Sequence, residues 1–148
     1  MRVSEVMIRN PITVGPMTPV VEVARLMRDR KISSVILTKN ERPVGIITER
    51  DLVWRVLASG RDPGSLTAFD VSSRPVIAVP ELADVEDALE LMRRHEIRRV
   101  VVVDNQDRVV GILTTDDLGY NLKRMSEELA IKYIITMRRS KDEKESKR

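Results

Sequence analysis

Apolar positions near the start of the chain are spaced as on a helix that follows an extended segment. Residues 1–14 contain the pair Asn10-Pro11, which disfavours a helix, so an extended lead-in is predicted there. From Thr18 and Pro19, which suit an N-cap and a first helical position, the period becomes helical. The apolar stripe of this predicted helix consists of Val20, Val23, Ala24 and Met27.

Two short apolar runs follow this helix, over residues 34–38 and 43–47, and both are rich in β-branched side chains. They predict two adjacent strands about a turn, after which Thr48 opens a second helix that ends near Ala58. A polar loop over residues 59–65 ends this half of the chain. Because the runs do not alternate with polar residues, we expect strands that helices cover, as in mixed α/β packing.

The second half of the chain repeats this order of elements. Matched residues lie 65 positions apart up to the first strand and 66 apart after one extra residue in the second turn. The matched pairs include Val6 with Val71, Met27 with Met92, Val35 with Val100, Gly45 with Gly111, Thr48 with Thr114, and Asp51 with Asp117. We therefore predict two repeats, residues 1–62 and 63–120, packed about a pseudo-two-fold axis, with any shared site occurring twice.

The segment 121–139 has no counterpart in the first half and predicts an additional amphipathic helix. Its apolar stripe consists of Leu122, Met125, Leu129, Tyr133, Ile134 and Met137. We expect this stripe to dock on the chain's own body or on a second copy, and the alternative is a contact surface for another protein. Residues 140–148 are predicted to form a charged, disordered tail.

The formal charge of +3 at pH 7 comes entirely from the end of the chain. Residues 138–148 hold six basic and three acidic side chains, so the body over residues 1–137 is neutral. A neutral body with a mixed-sign tail does not favour a nucleic-acid-binding face. The chain has no cysteine and no apolar run of membrane-spanning length. We accordingly expect a soluble cytoplasmic protein with no membrane contact.

The motif Gly-x-x-Thr-x-x-Asp occurs twice, over residues 45–51 and 111–117, each time at the end of an apolar strand. Glycine allows another group to approach the backbone, and the threonine lies where free N–H groups at a helix start favour an anion. The aspartate lies about one turn later on the same face, where its two oxygens can accept from a ribose diol. The motif predicts a nucleoside phosphate site. An ordinary capping box is the alternative, against which the matched repetition counts.

The ordered set of motifs resembles a tandem pair of CBS (cystathionine β-synthase) domains, a Bateman module. The resemblance covers residues 3–120 and includes the NPITV lead-in, the VVVVD strand and both motif segments. It implies an α/β (α+β) fold of two β-α-β-β-α repeats with pseudo-two-fold symmetry, plus the extra C-terminal helix. It also implies clefts between the repeats that bind AMP, ADP, ATP or, less commonly, S-adenosylmethionine. Two such modules commonly pair through their helices into a disc-like homodimer.

Family roles carried over by position assign a first site to the second repeat's motif. Asp117 would hold the ribose, and Thr114 and Arg99 would meet the phosphate. The first repeat would supply the adenine wall through Thr13, Val14 and Val35. The site would be completed only when the two repeats pack together.

In the second implied site the roles of the repeats are exchanged. Asp51 would hold the ribose and Thr48 the phosphate, with an adenine wall formed by Ala78, Val79 and Val100. Ser34 stands there at the position that matches Arg99. Because charge-assisted hydrogen bonds are about twice as strong as neutral ones, we expect the Asp117 site to bind phosphate-bearing ligands more tightly.

An enzyme is not expected from this sequence. The chain lacks cysteine, and its single histidine, His95, has no second histidine or cysteine with which to form a metal set or a nucleophile–base pair. We expect a stand-alone ligand-sensing module with no catalytic cofactor. The rival hypothesis is a dimerising scaffold that acts on an effector protein through residues 120–139, with a variant in which the basic tail touches nucleic acid.

Overall fold

The computed structural model describes residues 1–122, 126–127 and 131–146. Within these ranges the strands are β1 (Ile8–Arg9), β2 (Thr13–Val14), β3 (Ser34–Lys39), β4 (Arg42–Thr48), β5 (Ala78–Pro80), β6 (Arg99–Val103) and β7 (Val109–Thr114). The α-helices are α1 (Val20–Arg30), α2 (Glu49–Asp51), α3 (Ala68–Val71), α4 (Val85–His95), α5 (Thr115–Tyr120) and α6 (Ile131–Ser146). Helix α2 continues directly as a π-helix over Leu52–Leu57.

The strands form two sheets that repeat one topology. One sheet has the order β2-β3-β4 and the other the order β1-β7-β6-β5. In each repeat the first strand is parallel to the second (β2 with β3, β5 with β6), and the second is antiparallel to the third. This arrangement, with helices covering the sheets and an additional C-terminal helix, confirms the predicted fold class.

Part of the lead-in at the start of each repeat pairs with the other repeat. The prediction that the first lead-in is extended holds except at Val3–Glu5, which form a short 3-10 helix, and the second lead-in contains α3 at the matching place. In the first lead-in (residues 1–14), Ile8 of β1 lies opposite Ile112 of β7 in an antiparallel pair. In the second lead-in (residues 66–79), Ser73 forms an antiparallel bridge with Ile46 of β4. These two contacts are related by the repeat spacing, so the exchange of lead-ins follows the pseudo-two-fold symmetry.

The exchange of lead-ins continues in the hydrophobic cores. The core of the second repeat, under α4, contains Val3, Val6 and Met7 of the first lead-in, all at most 8% exposed. The core of the first repeat, under α1, contains Leu66, Ala68 and Val71 of the second lead-in. Full burial of such a side chain stabilises a fold by about 1.5–3 kcal/mol. Each repeat therefore depends on the other for part of its core.

A third apolar cluster joins the two sheets. Ile36 of the first sheet packs with Val101, Val103 and Ile112 of the second. Neighbours in sequence on the same strands, such as Val35, instead face the helices. The central strands are thus apolar on both faces, as their unbroken apolar runs predict.

The glycines of the two motifs, Gly45 and Gly111, leave room for the exchanged lead-ins to pass close to the strands. A Cβ atom on Gly111 would lie 2.5 Å from Sδ of Met7 and 3.0 Å from the carbonyl oxygen of Ile8. A Cβ atom on Gly45 would lie 2.9 Å from Oγ of Ser72 in the other lead-in. The group that approaches each glycine is therefore the neighbouring chain segment.

Two local predictions differ from the structure. Helix α1 begins at Val20 with Pro19 as its N-cap residue and no side-chain capping bond, so the predicted Thr18 cap is wrong. At the other end of the chain, α6 is helical to Ser146, although residues 140–148 are predicted to be disordered. Lysine, arginine and glutamate are good helix formers, which allows the helix to continue there.

Only part of the predicted C-terminal apolar stripe lies within the described residues. Met125 and Leu129 lie outside the described residues, as do the side chains of Tyr133, Ile134 and Met137. Leu122 is 60% exposed. Over the described ranges, no helix combines the length and the apolar character that a membrane crossing requires.

Candidate functional site

Two clefts open between the repeats at pseudo-equivalent places. The Thr114 cleft has a volume of about 400 Å³ and is lined mainly by residues 10–12 and 31–34 of the first repeat and by 98–99 and 114–117 of the second. The Thr48 cleft has a volume of about 360 Å³ and is lined mainly by 48–50, 75–77 and 96–99. Both volumes lie within the range of small-molecule sites, roughly 300–1,000 Å³.

The threonine and aspartate of each motif form a capping box. Asp117 Oδ2 accepts hydrogen bonds from Thr114 N and Thr114 Oγ1, both at 2.9 Å, and Thr114 Oγ1 accepts from Asp117 N at 3.2 Å. Thr48 and Asp51 repeat this pattern, with Asp51 Oδ2 at 2.9 and 3.2 Å from its two donors. The capping interpretation of the motif is therefore correct in both copies. Each threonine hydroxyl gives its proton to the cap, so phosphate contact by Thr48 and Thr114 stays a prediction.

The second oxygen of the motif aspartate distinguishes the two copies. Asp51 Oδ1 accepts from Ser73 Oγ at 3.0 Å and lies 3.5 Å from Nε of Arg55. Asp51 is only 6% exposed and does not line the Thr48 cleft. Asp117 is half-buried and lines the Thr114 cleft, and none of the described residues donates to its Oδ1. Among the described residues, Oδ1 of the motif aspartate thus has polar partners in the first copy and no donor in the second.

Arg99 lies between the clefts and lines both of them, together with Ser33 and Arg98. Its Nη1 donates long hydrogen bonds of 3.4 and 3.5 Å to the hydroxyl and carbonyl oxygens of Ser33. Partial burial lowers the pKa of Arg99, against the opposing effect of Glu49 and Asp116. The guanidinium remains charged because its unperturbed pKa is so high.

The position of Arg99 corrects the predicted reason for unequal sites. Arg99 is opposite Thr114 in the β6–β7 pair, which places it beside the second repeat's motif. Its backbone also continues residues 96–98, which belong to the wall of the Thr48 cleft. Because Arg99 lines both clefts, the difference between Arg99 and Ser34 does not assign a cation to one cleft alone.

The residues predicted to form the adenine walls do not line the clefts. Val35 is fully buried in the first core, and Thr13 and Val14 are likewise absent from the lining of the Thr114 cleft. The apolar side chains that do line it are Ile8, Pro11, Ile12, Ile32, Ile36 and Ile112. Successive strand residues face opposite sides of a sheet, so the neighbour of a cleft residue faces the helices.

The same correction applies to the other wall. Val79 and Val100 are buried in the second core, and Ala78 packs in the cluster between the sheets. Val76, Ile77 and Val101 line the Thr48 cleft in their place. An alternation of apolar and polar residues along the strands could have identified these cleft residues. Strands that are apolar on both faces do not show such an alternation.

Charged positions that sequence reasoning did not assign to the sites also differ between the clefts. The Thr114 cleft holds Lys31 and Asp116. The equivalent positions in the Thr48 cleft are Glu96 and Arg50. The described residues contain no group of three or more histidine, cysteine, aspartate or glutamate side chains that could hold a metal ion.

A comparison with known families identifies the repeat. The CBS domain model matches twice, over residues 3–58 and 68–122. The uncharacterized protein MK0525 of Methanopyrus kandleri is 42% identical over 117 residues, which are 78% of this chain and 60% of that protein. The chain thus spans about three fifths of the length of that relative.

Solved structures of similar fold include complexes with adenosyl compounds. The CBS domain protein PAE2072 from Pyrobaculum aerophilum, solved in complex with AMP, has a TM-score of 0.74 and 31% identity, over 93% of this chain and 99% of that one. The CBS domain pair of protein MJ0100, solved with 5′-methylthioadenosine and S-adenosyl-L-methionine, has a TM-score of 0.74 and 27% identity, over 83% and 96% of the two chains. This chain belongs to the CBS domain family and carries two CBS domains in tandem.

Proposed function

We propose that the chain is a regulatory module that senses an adenine nucleotide, with AMP as the favoured ligand and the Thr114 cleft as its site. The observation that carries the proposal is that Asp117 lines a cleft between the two repeats and that none of the described residues donates to its Oδ1. A carboxylate oxygen in this situation can accept a hydroxyl of a ribose diol while its partner oxygen keeps the helix cap. The AMP complex of PAE2072 and the adenosyl complexes of MJ0100 support the same class of ligand.

The charges of the Thr114 cleft favour a ligand with one phosphate group. Lys31, Arg98 and Arg99 supply positive charge, whereas Asp116 and Asp117 supply negative charge. The excess of positive charge offsets most of the charge of about −1.5 to −2 that a phosphate monoester carries at pH 7. The longer phosphate chain of ATP would bring additional charge toward Asp116, and like charges at short range oppose binding. We therefore expect AMP to bind more tightly than ATP in the absence of a divalent cation.

The bridging position of the ligand gives the sensing mechanism. A nucleotide in the Thr114 cleft would touch residues 10–12 and 31–34 of the first repeat and 114–117 of the second. Its binding would favour the relative packing of the repeats in which both sets of contacts are made. An attached domain or a bound protein that depends on that packing would then respond to nucleotide concentration.

Titration calorimetry with AMP, ATP, S-adenosylmethionine and 5′-methylthioadenosine tests the proposal. We expect one AMP per chain, and we expect the Asp117→Ala variant to weaken AMP by at least about tenfold, since a hydrogen bond to a charged group is lost. The Asp51→Ala variant is the matched control and should retain the wild-type affinity, provided that it folds. Arg99→Met should weaken AMP and leave the phosphate-free 5′-methylthioadenosine unaffected.

Two outcomes would contradict this proposal. If none of the four compounds binds or raises the melting temperature, the sensing function is wrong, because ligand at about 100 times Kd stabilises a fold by roughly 2.7 kcal/mol. If only the phosphate-free compounds bind, the site is adenosyl-specific but does not serve a nucleotide.

We further propose that two copies pair through the second helices of the repeats. Trp54 and Tyr120, which are equivalent in the two repeats, are 64% and 90% exposed, and Leu57 beside Trp54 is 78% exposed. Arg50 covers one face of Trp54, with its guanidinium 5.0 Å from the ring centroid. Large apolar side chains that lie exposed on matched helices are typical of an interface. Light scattering should give a dimer mass for the wild type and a monomer mass for Trp54→Glu.

A further inference from the structure

The Asp51 cluster, formed by Asp51, Arg55 and Ser73, joins the first repeat to the second lead-in. Ser73 Oγ donates to Asp51 Oδ1 at 3.0 Å. Arg55 lies on the same side, with Nε 3.5 Å from that oxygen and Nη1 donating to the carbonyl oxygen of Ser72 at 2.9 Å. The side chain of Asp51 is 9% exposed, whereas Ser73 is half-buried and lines the Thr48 cleft.

The positions equivalent to these partners carry different residues in the other copy. Ile8 stands where Ser73 stands, and Asn121 stands where Arg55 stands. The isoleucine side chain has no hydrogen-bond donor. The side-chain amide of Asn121 donates instead to the carbonyl oxygen of Asp117 at 2.8 Å. The capping boxes are otherwise the same, so these two positions account for the difference at the second carboxylate oxygen.

We propose that Ser73 and Arg55 decide which cleft accepts a nucleoside. In the first repeat they occupy the Asp51 oxygen that a vicinal diol would need, and they make this aspartate a structural link between the repeats. In the second repeat neither Ile8 nor Asn121 donates to the corresponding oxygen of Asp117, and no other described residue does. The inference deepens the proposed function, and its ligand-binding tests rest on that function.

The first test removes the two partners of Asp51. In the variant Ser73→Ala/Arg55→Asn, whose second change copies Asn121, Asp51 Oδ1 loses both neighbours. Titration with AMP should then give two sites per chain instead of one. Wild-type protein that already binds two AMP molecules, or a folded variant that still binds one, would overturn the proposal.

The second test installs the partners in the other copy. Ile8→Ser/Asn121→Arg should place a hydroxyl and a guanidinium beside Asp117 and weaken AMP by at least about tenfold, the effect of one hydrogen bond to a charged group. Ile8 is 51% exposed, so the fold should tolerate this change. The single variant Ile8→Ala is the control for loss of the isoleucine side chain. An unchanged affinity in the double variant would count against the assignment.

A third measurement needs no ligand and separates the two proposals. In a double-mutant cycle on melting temperature, Asp51→Asn and Ser73→Ala should be strongly non-additive, and Ser73→Ala alone should lower the melting temperature by about 2–4 °C. The same cycle with Asp117→Asn and Ile8→Ala should be additive. If AMP fails to bind wild-type protein but the first cycle shows coupling, the nucleotide function is wrong and the structural link stands. Additive effects in the first cycle would refute the link itself.

Discussion

The Thr114 and Thr48 clefts are built from the same elements with the repeats exchanged, and each contains the same capping box. They differ in residues that approach the box from elsewhere. Ser73 reaches Asp51 from the second lead-in, whereas Ile8 of the first lead-in offers no donor to Asp117. A motif that is identical in two copies thus has different neighbours at its aspartate, and under our proposal one copy binds a ligand whereas the other links the repeats. Its immediate surroundings decide between these roles.

The charged side chains at the mouths of the two clefts also differ although the backbone around them is the same. Lys31 and Glu96 both end the first long helix of their repeat in the left-handed conformation, with φ of 54° and 53°. The backbone there is the same, but the side-chain charge at the mouth of the cleft is opposite. By contrast, Arg98 and Arg99 line both clefts and cannot distinguish them. The comparison of the two copies therefore yields predictions in matched pairs.

The largest expected effect concerns the exchanged lead-ins. Deletion of residues 1–7 removes Val3, Val6 and Met7 from the second core and should destabilise the fold by about 5–9 kcal/mol, which is comparable with the whole stability of a typical domain. Circular dichroism should show loss of the cooperative thermal transition. Deletion of residues 147–148 is the control and should leave the transition unchanged. A truncated protein that melts like the wild type would show that the second repeat does not need the first lead-in.

A smaller effect is expected at the motif glycines. Gly111→Ala and Gly45→Ala should each cost about 1–3 kcal/mol, because the added methyl group meets Met7 and Ile8 in one case and Ser72 in the other. Gly119→Ala is the matched control, since its Cβ would meet nothing within 4 Å and alanine favours the helix. Chemical denaturation measures all three. Equal stability of the three variants would mean that the lead-ins do not pass close to the motif glycines.

The smallest expected effect concerns the charges at the cleft mouths. Lys31→Glu copies Glu96 and should weaken AMP by roughly threefold to tenfold, since partly exposed charge pairs contribute about 1 kcal/mol. The reciprocal variant Glu96→Lys should leave AMP affinity at the Thr114 cleft unchanged. The effect of Lys31→Glu should shrink as salt is raised, because screening weakens exposed charges. Titration at two salt concentrations checks both the size and the origin of the change.

Much of the fold could be predicted because the repeat spacing constrains it. Matched apolar stripes such as those of α1 and α4 define the helices, and the unbroken apolar runs define the central strands. The same spacing indicates a pseudo-two-fold pair and two equivalent clefts. The family resemblance was confirmed by the matches over residues 3–58 and 68–122.

The details of the site were harder to predict for a physical reason. A strand that is apolar on both faces carries no alternation, so Val35 and Ile36 look alike although one enters a core and the other a cleft. The helical structure of residues 140–146 was also missed, since a charged segment can continue a helix as well as form a tail. Residue chemistry identified Asp117 and Asp51 as candidates and ranked them by the difference between Arg99 and Ser34, but Arg99 lines both clefts and does not support that ranking.

The order of residues along the chain was enough to identify a tandem repeat that resembles CBS domains, with a Thr-x-x-Asp motif in each copy. It could not show which lead-in packs on which repeat, because Val6 and Val71 are matched whether each packs on its own copy or on the other. That exchange brings Ser73 onto Asp51 across a separation in sequence that no local pattern spans. The two aspartates are equal in the sequence and unequal in the fold because their partners come from the opposite repeat.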